Sequence, residues 1–106
     1  MPHKHIDSHS FKEKMQNGEY VILDVRTSDE HNDKKIAHSL QLDFYAPDFQ
    51  AEIEKLDKDK VYLVYCRSGN RSGQTMDMMK NMGFGEVYNL ESGIIGWEAD
   101  NHEFVK

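Results

Sequence analysis

Two short runs, Tyr20-Val21-Ile22-Leu23-Asp24-Val25 and Val61-Tyr62-Leu63-Val64-Tyr65, constrain the fold more than any other feature of this sequence. Both are rich in β-branched and aromatic residues, and both stay apolar without strict alternation. A strand with one wet face alternates apolar and polar residues, whereas a strand covered on both faces does not. The two runs are therefore read as central strands of a mostly parallel sheet. Further strand candidates are His5-Ile6, Ser39-Leu40-Gln41-Leu42 and Glu86-Val87-Tyr88-Asn89-Leu90.

Helical patterns fill the gaps. Ser8 or Ser10 is expected to cap a helix running to about Gln16 and closed by Asn17-Gly18, and Ala46-Pro47-Asp48 to open a second one carrying Phe49, Ile53 and Leu56. A third follows Cys66, with Thr75, Met78, Met79 and Met82 at i, i+3, i+4 and i+7 and Gly83 as its stop. Ser92 to Trp97 suggests a last short helix, with Trp97 pinning it to the sheet. Strands alternating with helices at this spacing predict an α/β domain. A chain of 106 residues holds one such domain, 1–106, with its core at about 5–97 and a short C-terminal tail, 98–106.

No apolar run approaches the roughly 18 residues of a membrane span, and Met1-Pro2-His3-Lys4 has no apolar stretch behind its lysine, so neither a span nor a secretory signal is expected. The expectation is a cytoplasmic protein. A formal charge of -6 argues against a nucleic-acid or anionic-membrane partner, because both require a basic surface.

Cys66 is the only cysteine, which excludes an intramolecular disulfide and a thiolate metal cluster and leaves buried filler or a reactive thiol. Its surroundings favour the thiol. A buried strand runs into the short polar loop Cys66-Arg67-Ser68-Gly69-Asn70-Arg71-Ser72 and then into a helix, so Cys66 falls at the carboxyl end of a parallel strand, facing a helix N-terminus. Amides of Ser68 to Ser72 can turn inward as an anion nest, Gly69 allowing positive φ, with the helix dipole and the guanidinium groups of Arg67 and Arg71 adding positive potential. Such surroundings lower a thiol pKa and make the sulfur nucleophilic.

The loop Tyr65-Cys66-Arg67-Ser68-Gly69-Asn70-Arg71-Ser72 resembles the active-site loop of the rhodanese family. Leu23-Asp24-Val25-Arg26, with Glu30 and Ile36 beyond, is similar to that family's leading motif, and Gly83-Phe84 with Val87-Tyr88-Asn89-Leu90-Glu91-Ser92-Gly93-Ile94-Ile95-Gly96-Trp97 resembles its closing motif. The resemblance implies a five-stranded rhodanese-like α/β domain with helices on both faces. It further implies a thiosulfate sulfurtransferase that takes sulfane sulfur from thiosulfate or a similar anionic donor onto Cys66 and passes it to cyanide or a thiol. By the same resemblance Cys66 is the nucleophile, Arg67, Ser68, Gly69, Asn70, Arg71 and Ser72 bind substrate, and Asp24 and Arg26 support them. The sequence departs from the family where Glu30-His31-Asn32-Asp33-Lys34-Lys35-Ile36-Ala37-His38-Ser39 replaces a Gly-His-Ile turn, and where Ser92 stands at a common glycine position.

Two other readings compete with it. A cysteine phosphatase, or an arsenate-reductase-like enzyme, carries five residues between its Cys and Arg; Cys66 and Arg71 enclose four, Arg67 to Asn70, which suits an outer sulfur better than a phosphoryl group. A sulfur-carrier or persulfide-sensing module that docks an acceptor protein is compatible with the same residues. The remaining features have plainer readings. His3, His5 and His9 are expected to be solvated at a mobile terminus, with no metal bound and no cofactor required. Met76, Met78, Met79 and Met82 are expected to be adaptable core. Lys55, Lys58 and Lys60, alternating with Asp57 and Asp59, read as a solvated turn. Arg67 and Arg71 could simply pair with carboxylates at the surface, and Arg67 could point away to hold a partner. Asp24 is expected to orient the loop, since a carboxylate beside an activated thiolate would raise its pKa.

Overall fold

The computed structural model describes residues 2–16 and 18–106; Met1, and Asn17 with its expected part in closing the first helix, lie outside the described residues. In chain order the elements are β1 (His3–Ile6), α1 (Ser8–Lys14), β2 (Val21–Asp24), α2 (Ser28–Asp33), β3 (Leu40–Gln41), α3 (Phe49–Glu54), β4 (Val61–Tyr65), α4 (Asn70–Asn81), β5 (Glu86–Leu90) and α5 (Gly93–Ala99). The strands form one sheet in the order β1-β5-β4-β2-β3, and every pairing is parallel. β4 is the middle strand, which is why its sequence is apolar on both faces.

The period-two geometry of a strand divides β4 between two cores. Tyr62, Val64 and Cys66 join Leu23, Phe49, Ile53, Met76 and Met79 beneath α3 and α4. Leu63 and Tyr65 face the other way, with Phe11, Ile22, Tyr88, Leu90 and Trp97 beneath α1 and α5. Each large side chain removed from water in these layers contributes roughly 1.5–3 kcal/mol. The same alternation points the Cys66 side chain at α4.

Four local expectations are corrected. Asp7, not Ser8 or Ser10, caps α1: its carboxylate accepts the Ser10 N–H at 2.8 Å, while Ser8 is buried and donates to Asp100. α2 was not anticipated, because none of its residues is fully buried and no apolar periodicity marks it; it is held by a capping box in which Thr27 and Glu30 satisfy each other's backbone N–H. The buried stripe of α4 is Ser72, Thr75, Met76 and Met79, with Met78 and Met82 only partly covered. The spacing is the expected one displaced toward the loop, and a polar residue at its head concealed it. The N-terminal histidines do not sit on a free end, although His5 and His9 are exposed as expected. His3 Nε2 lies 2.6 Å from the Phe84 carbonyl, His5 Nδ1 lies 2.9 Å from Asn89 Nδ2, and the His9 ring packs edge-on against His102.

The C-terminal end is likewise tied down. Trp97 packs edge-to-face on Phe11 and donates its indole N–H to the Glu103 carbonyl at 2.8 Å, so it fastens α5 to α1 and to the tail. Lys35 and Val105 exchange backbone hydrogen bonds of 2.7 Å, and Lys34 pairs with Glu98 at 2.9 Å. The atypical lysine segment thus has its partner in the chain end. Among the described residues no helix is long and apolar enough to cross a membrane.

The displaced stripe is open to a direct comparison. Met79→Ala should destabilise the protein by about 2–5 kcal/mol in urea unfolding, and Met78→Ala by less than half of that. Equal losses would return the stripe to its expected position.

Candidate active site

Three features of the chain after β4 converge on one sulfur atom. Cys66 follows Tyr65 on the α4 side of the sheet and is buried, at 1% exposure. The chain then reverses at Gly69, the residue before α4, with φ +95°. Only glycine fits there: a Cβ would also lie 2.0 Å from the Glu91 carbonyl oxygen. Ser72, at the head of the buried stripe, faces the end of β4. The outcome is a set of donors on Cys66 Sγ: the Gly69 N–H at 3.1 Å, the Ser72 N–H at 3.5 Å and the Ser72 hydroxyl at 3.3 Å.

The loop carbonyls are held from outside. Ile94 N–H donates to the Cys66 carbonyl at 2.9 Å and Ile95 N–H to the Arg67 carbonyl at 3.2 Å. Gly93 makes this approach possible, because a Cβ there would lie 2.1 Å from the Arg67 carbonyl oxygen. With carbonyls facing α5 and amides facing the sulfur, burial pushes the Cys66 thiol up, but the Ser72 hydroxyl and the amides of Ser72, Ser68 and Gly69 outweigh it. The net result is a pKa below the ordinary thiol value.

The other expected site residues occupy different places. Arg71 makes a bidentate ion pair with Glu30, at 2.8 and 3.0 Å, and its guanidinium carbon lies 5.5 Å from the centre of the exposed Tyr45 ring. The bond to Glu30 is the main reason the Arg71 pKa is raised, and the negative charge of Cys66 adds to it, which places the guanidinium within electrostatic range of the sulfur. The same pair holds the Glu30 carboxyl down at about 2. Arg67 is exposed and lines a surface cleft with Lys34, Ile95 and Glu98. Asn70 is exposed and accepts from Gln74 at 2.7 Å.

Asp24 and Arg26 act at one remove from the loop. The buried Asp24 carboxylate accepts from Arg26 Nη2 at 2.8 Å, from the Tyr65 hydroxyl at 3.1 Å, and lies 2.9 Å from His31 Nδ1. Arg26 Nη2 also donates to the Lys34 carbonyl at 2.6 Å, fixing the end of α2. Burial, then the negative charge of Asp24, pushes Tyr65 up to about 12, so its hydroxyl stays a donor. The side chains of Asp24 and Arg26 bond to each other, to His31, to Tyr65 and to the Lys34 carbonyl, so their influence on the loop passes through Tyr65 and through α2, which carries Glu30. Two neighbours of the site escaped the sequence reading in this role. Glu30 was visible only as a motif member, and Tyr45 carried no signal, since each meets Arg71 solely through the fold.

Ser72→Ala removes one donor from the charged form of Cys66. Its pKa should rise, and the alkylation rate of the thiol at neutral pH should fall by roughly tenfold. The Glu30 carboxyl is depressed in the folded state, so its contribution to stability is complete above the unfolded carboxylate value and disappears as pH falls toward about 2. Melting temperatures of Glu30→Gln should therefore depend less steeply on pH between about 5 and 2 than those of the wild type.

Comparison with known proteins follows the same lines as the geometry. The rhodanese-like domain family matches residues 7–100. A sulfurtransferase from Allochromatium vinosum is 37% identical over 93 residues, covering 87% of this chain and 85% of that protein. The thiosulfate sulfurtransferase GlpE of Coxiella burnetii is 35% identical over 99 residues, covering 93% of this chain and 91% of the relative. Among solved structures, a rhodanese-related protein from Thermoplasma volcanium superposes with a TM-score of 0.84 at 27% identity, covering 96% of this chain and 97% of the other.

Proposed function

This chain belongs to the rhodanese-like domain family, the two relatives above are named sulfurtransferases, and on that premise we propose that it moves sulfane sulfur from thiosulfate or a similar donor through a persulfide on Cys66 to cyanide or a thiol. The observation that carries this reading is the convergence of the Gly69 and Ser72 donors on one buried sulfur.

In the first half-reaction the Cys66 thiolate attacks the outer sulfur of thiosulfate. A new S–S bond forms, the bond from that sulfur to the sulfonate breaks, and sulfite leaves with the electron pair. In the second, cyanide or a thiolate attacks the same outer sulfur, giving thiocyanate or an acceptor persulfide and restoring the Cys66 thiolate. Ser68, Gly69 and Ser72 supply the donors that hold the anionic sulfur in each state. Arg67, exposed beside the nucleophile, is the cation that meets an incoming dianion. Arg71 and Asn70 hold the first turn of α4, Arg71 through Glu30, while Asp24 and Arg26 hold the neighbouring segment.

Loop length favours this chemistry over phosphoryl transfer. With four residues between Cys66 and Arg71, the ring of amides is tight on the sulfur itself, at 3.1 Å from Gly69 N, which suits a sulfane atom.

Incubation with thiosulfate should add one sulfur to the mass of Cys66, and subsequent cyanide should release thiocyanate and reverse the gain. Cys66→Ser should fold and lose both signals entirely. Turnover by that variant, or efficient hydrolysis of an aryl phosphate by the wild type, would assign the loop a different chemistry.

A further inference from the structure

Asn89 on β5 is buried, at 1% exposure, yet its bonding is incomplete: Oδ1 has no hydrogen-bond partner among the described residues. Its Nδ2 meets two acceptors, the Gly69 carbonyl at 3.2 Å and His5 Nδ1 at 2.9 Å. The Gly69 carbonyl also receives the Gly73 N–H at 3.0 Å, and the Gly69 N–H is the donor nearest to Cys66 Sγ, at 3.1 Å. Asn89 therefore grips the residue that grips the sulfur. We propose that Asn89 is a positioning residue for the sulfur-holding loop, and that His5 decides which way its amide faces. The proposal rests on Cys66 being the reactive group, and not on the identity of the sulfur donor.

Hydrogen-bond bookkeeping supplies the reason. For Nδ2 to donate to both acceptors, His5 Nδ1 must offer a lone pair, which places the ring proton on Nε2. An imidazolium carries a proton on both nitrogens. Asn89 then faces either a donor against a donor at His5 or, if its amide turns over, its own oxygen against the Gly69 carbonyl. Neither orientation satisfies both neighbours, and the free Oδ1 is what makes the turned orientation accessible. The lone pair on His5 Nδ1 is therefore what keeps the amide turned toward Gly69.

Geometry holds the pair in place. His5 and Asn89 are register partners on the parallel strands β1 and β5. Above them α4 presents Gly73, where an added Cβ would lie 3.3 Å from Asn89 Nδ2 and 3.4 Å from His5 Cε1. The other titratable groups on this side are His3, two residues earlier on the same face of β1, Asp77, one turn beyond Gly73 on α4, and Glu91, just past β5. Loss of either contact to Asn89 Nδ2 loosens Gly69 and weakens the nearest donor to the thiolate, which shifts Cys66 toward its protonated form.

Because Cys66 is the only cysteine, its alkylation by iodoacetamide reports the thiolate directly and requires no sulfur donor. Asn89→Leu should lower the rate at pH 7 by roughly tenfold and move the Cys66 profile to higher pH, because the Gly69 donor loosens. His5→Leu, which takes the acceptor from Asn89 Nδ2, should move it the same way, and His5→Asn, which returns an acceptor near the Nδ1 position, should restore most of the shift. Superimposable wild-type and Asn89→Leu profiles would overturn the proposal. If Asn89→Leu fails to fold, equal profiles for His5→Leu and the wild type overturn it instead. A wild type whose profile responds in this way but that transfers no sulfur would sink the functional reading alone.

Discussion

A thiol buried at the end of the central strand can ionise only if fixed donors replace the water it has lost. The donors on Cys66 Sγ are that replacement, and much of the architecture reads as their support. Gly69 must be left-handed to turn its amide inward, and the loop carbonyls must then be satisfied elsewhere. Gly93 lets the first amides of α5 reach them. Ser72 must be buried to offer both its hydroxyl and its amide, and it is buried because the stripe of α4 that packs on the sheet begins with it. A single serine is thereby both core and donor. Reactivity and packing are not separable at that position.

The second organising element is the buried cluster of Asp24, Arg26, His31 and Tyr65. Burying Arg26 disfavours its charge, but the Asp24 carboxylate outweighs this and keeps the guanidinium ionised, so the pair persists as ions inside the protein. Its outward bond to the Lys34 carbonyl stops α2, whose capping residue Glu30 then clamps Arg71. The chain end returns to the same place, where Val105 bridges Lys35. Support residues ahead of the loop thus reach it through a helix and a tyrosine rather than by touching it.

Much of this was legible in the sequence where the signal is local. The runs at β2 and β4 announced a parallel sheet because only strands covered on both faces stay apolar throughout, and β5 is found at the residues proposed for it. The loop could be read because strand, Gly69 and helix are consecutive. α2 was missed although Thr27 and Glu30 spell a capping box, because attention to apolar periodicity passes over a helix that buries no residue completely. The register of the α4 stripe was misplaced for a related reason: hydrophobicity alone gives no weight to Ser72.

By itself the sequence determined the layered α/β fold, the place of Cys66 at the end of a central strand and the turn that faces amides toward it. Each of these follows from strand parity, helix periodicity and the φ freedom of one glycine, all acting over a few residues. Only the tertiary structure decided that Arg71 is held by Glu30, that Asp24 reaches the loop through Tyr65, and that His5 and Gly69 share Asn89. These contacts join residues up to 84 positions apart, as His5 and Asn89 are, and a pairing at that range is set by sheet order and register, which no local pattern encodes.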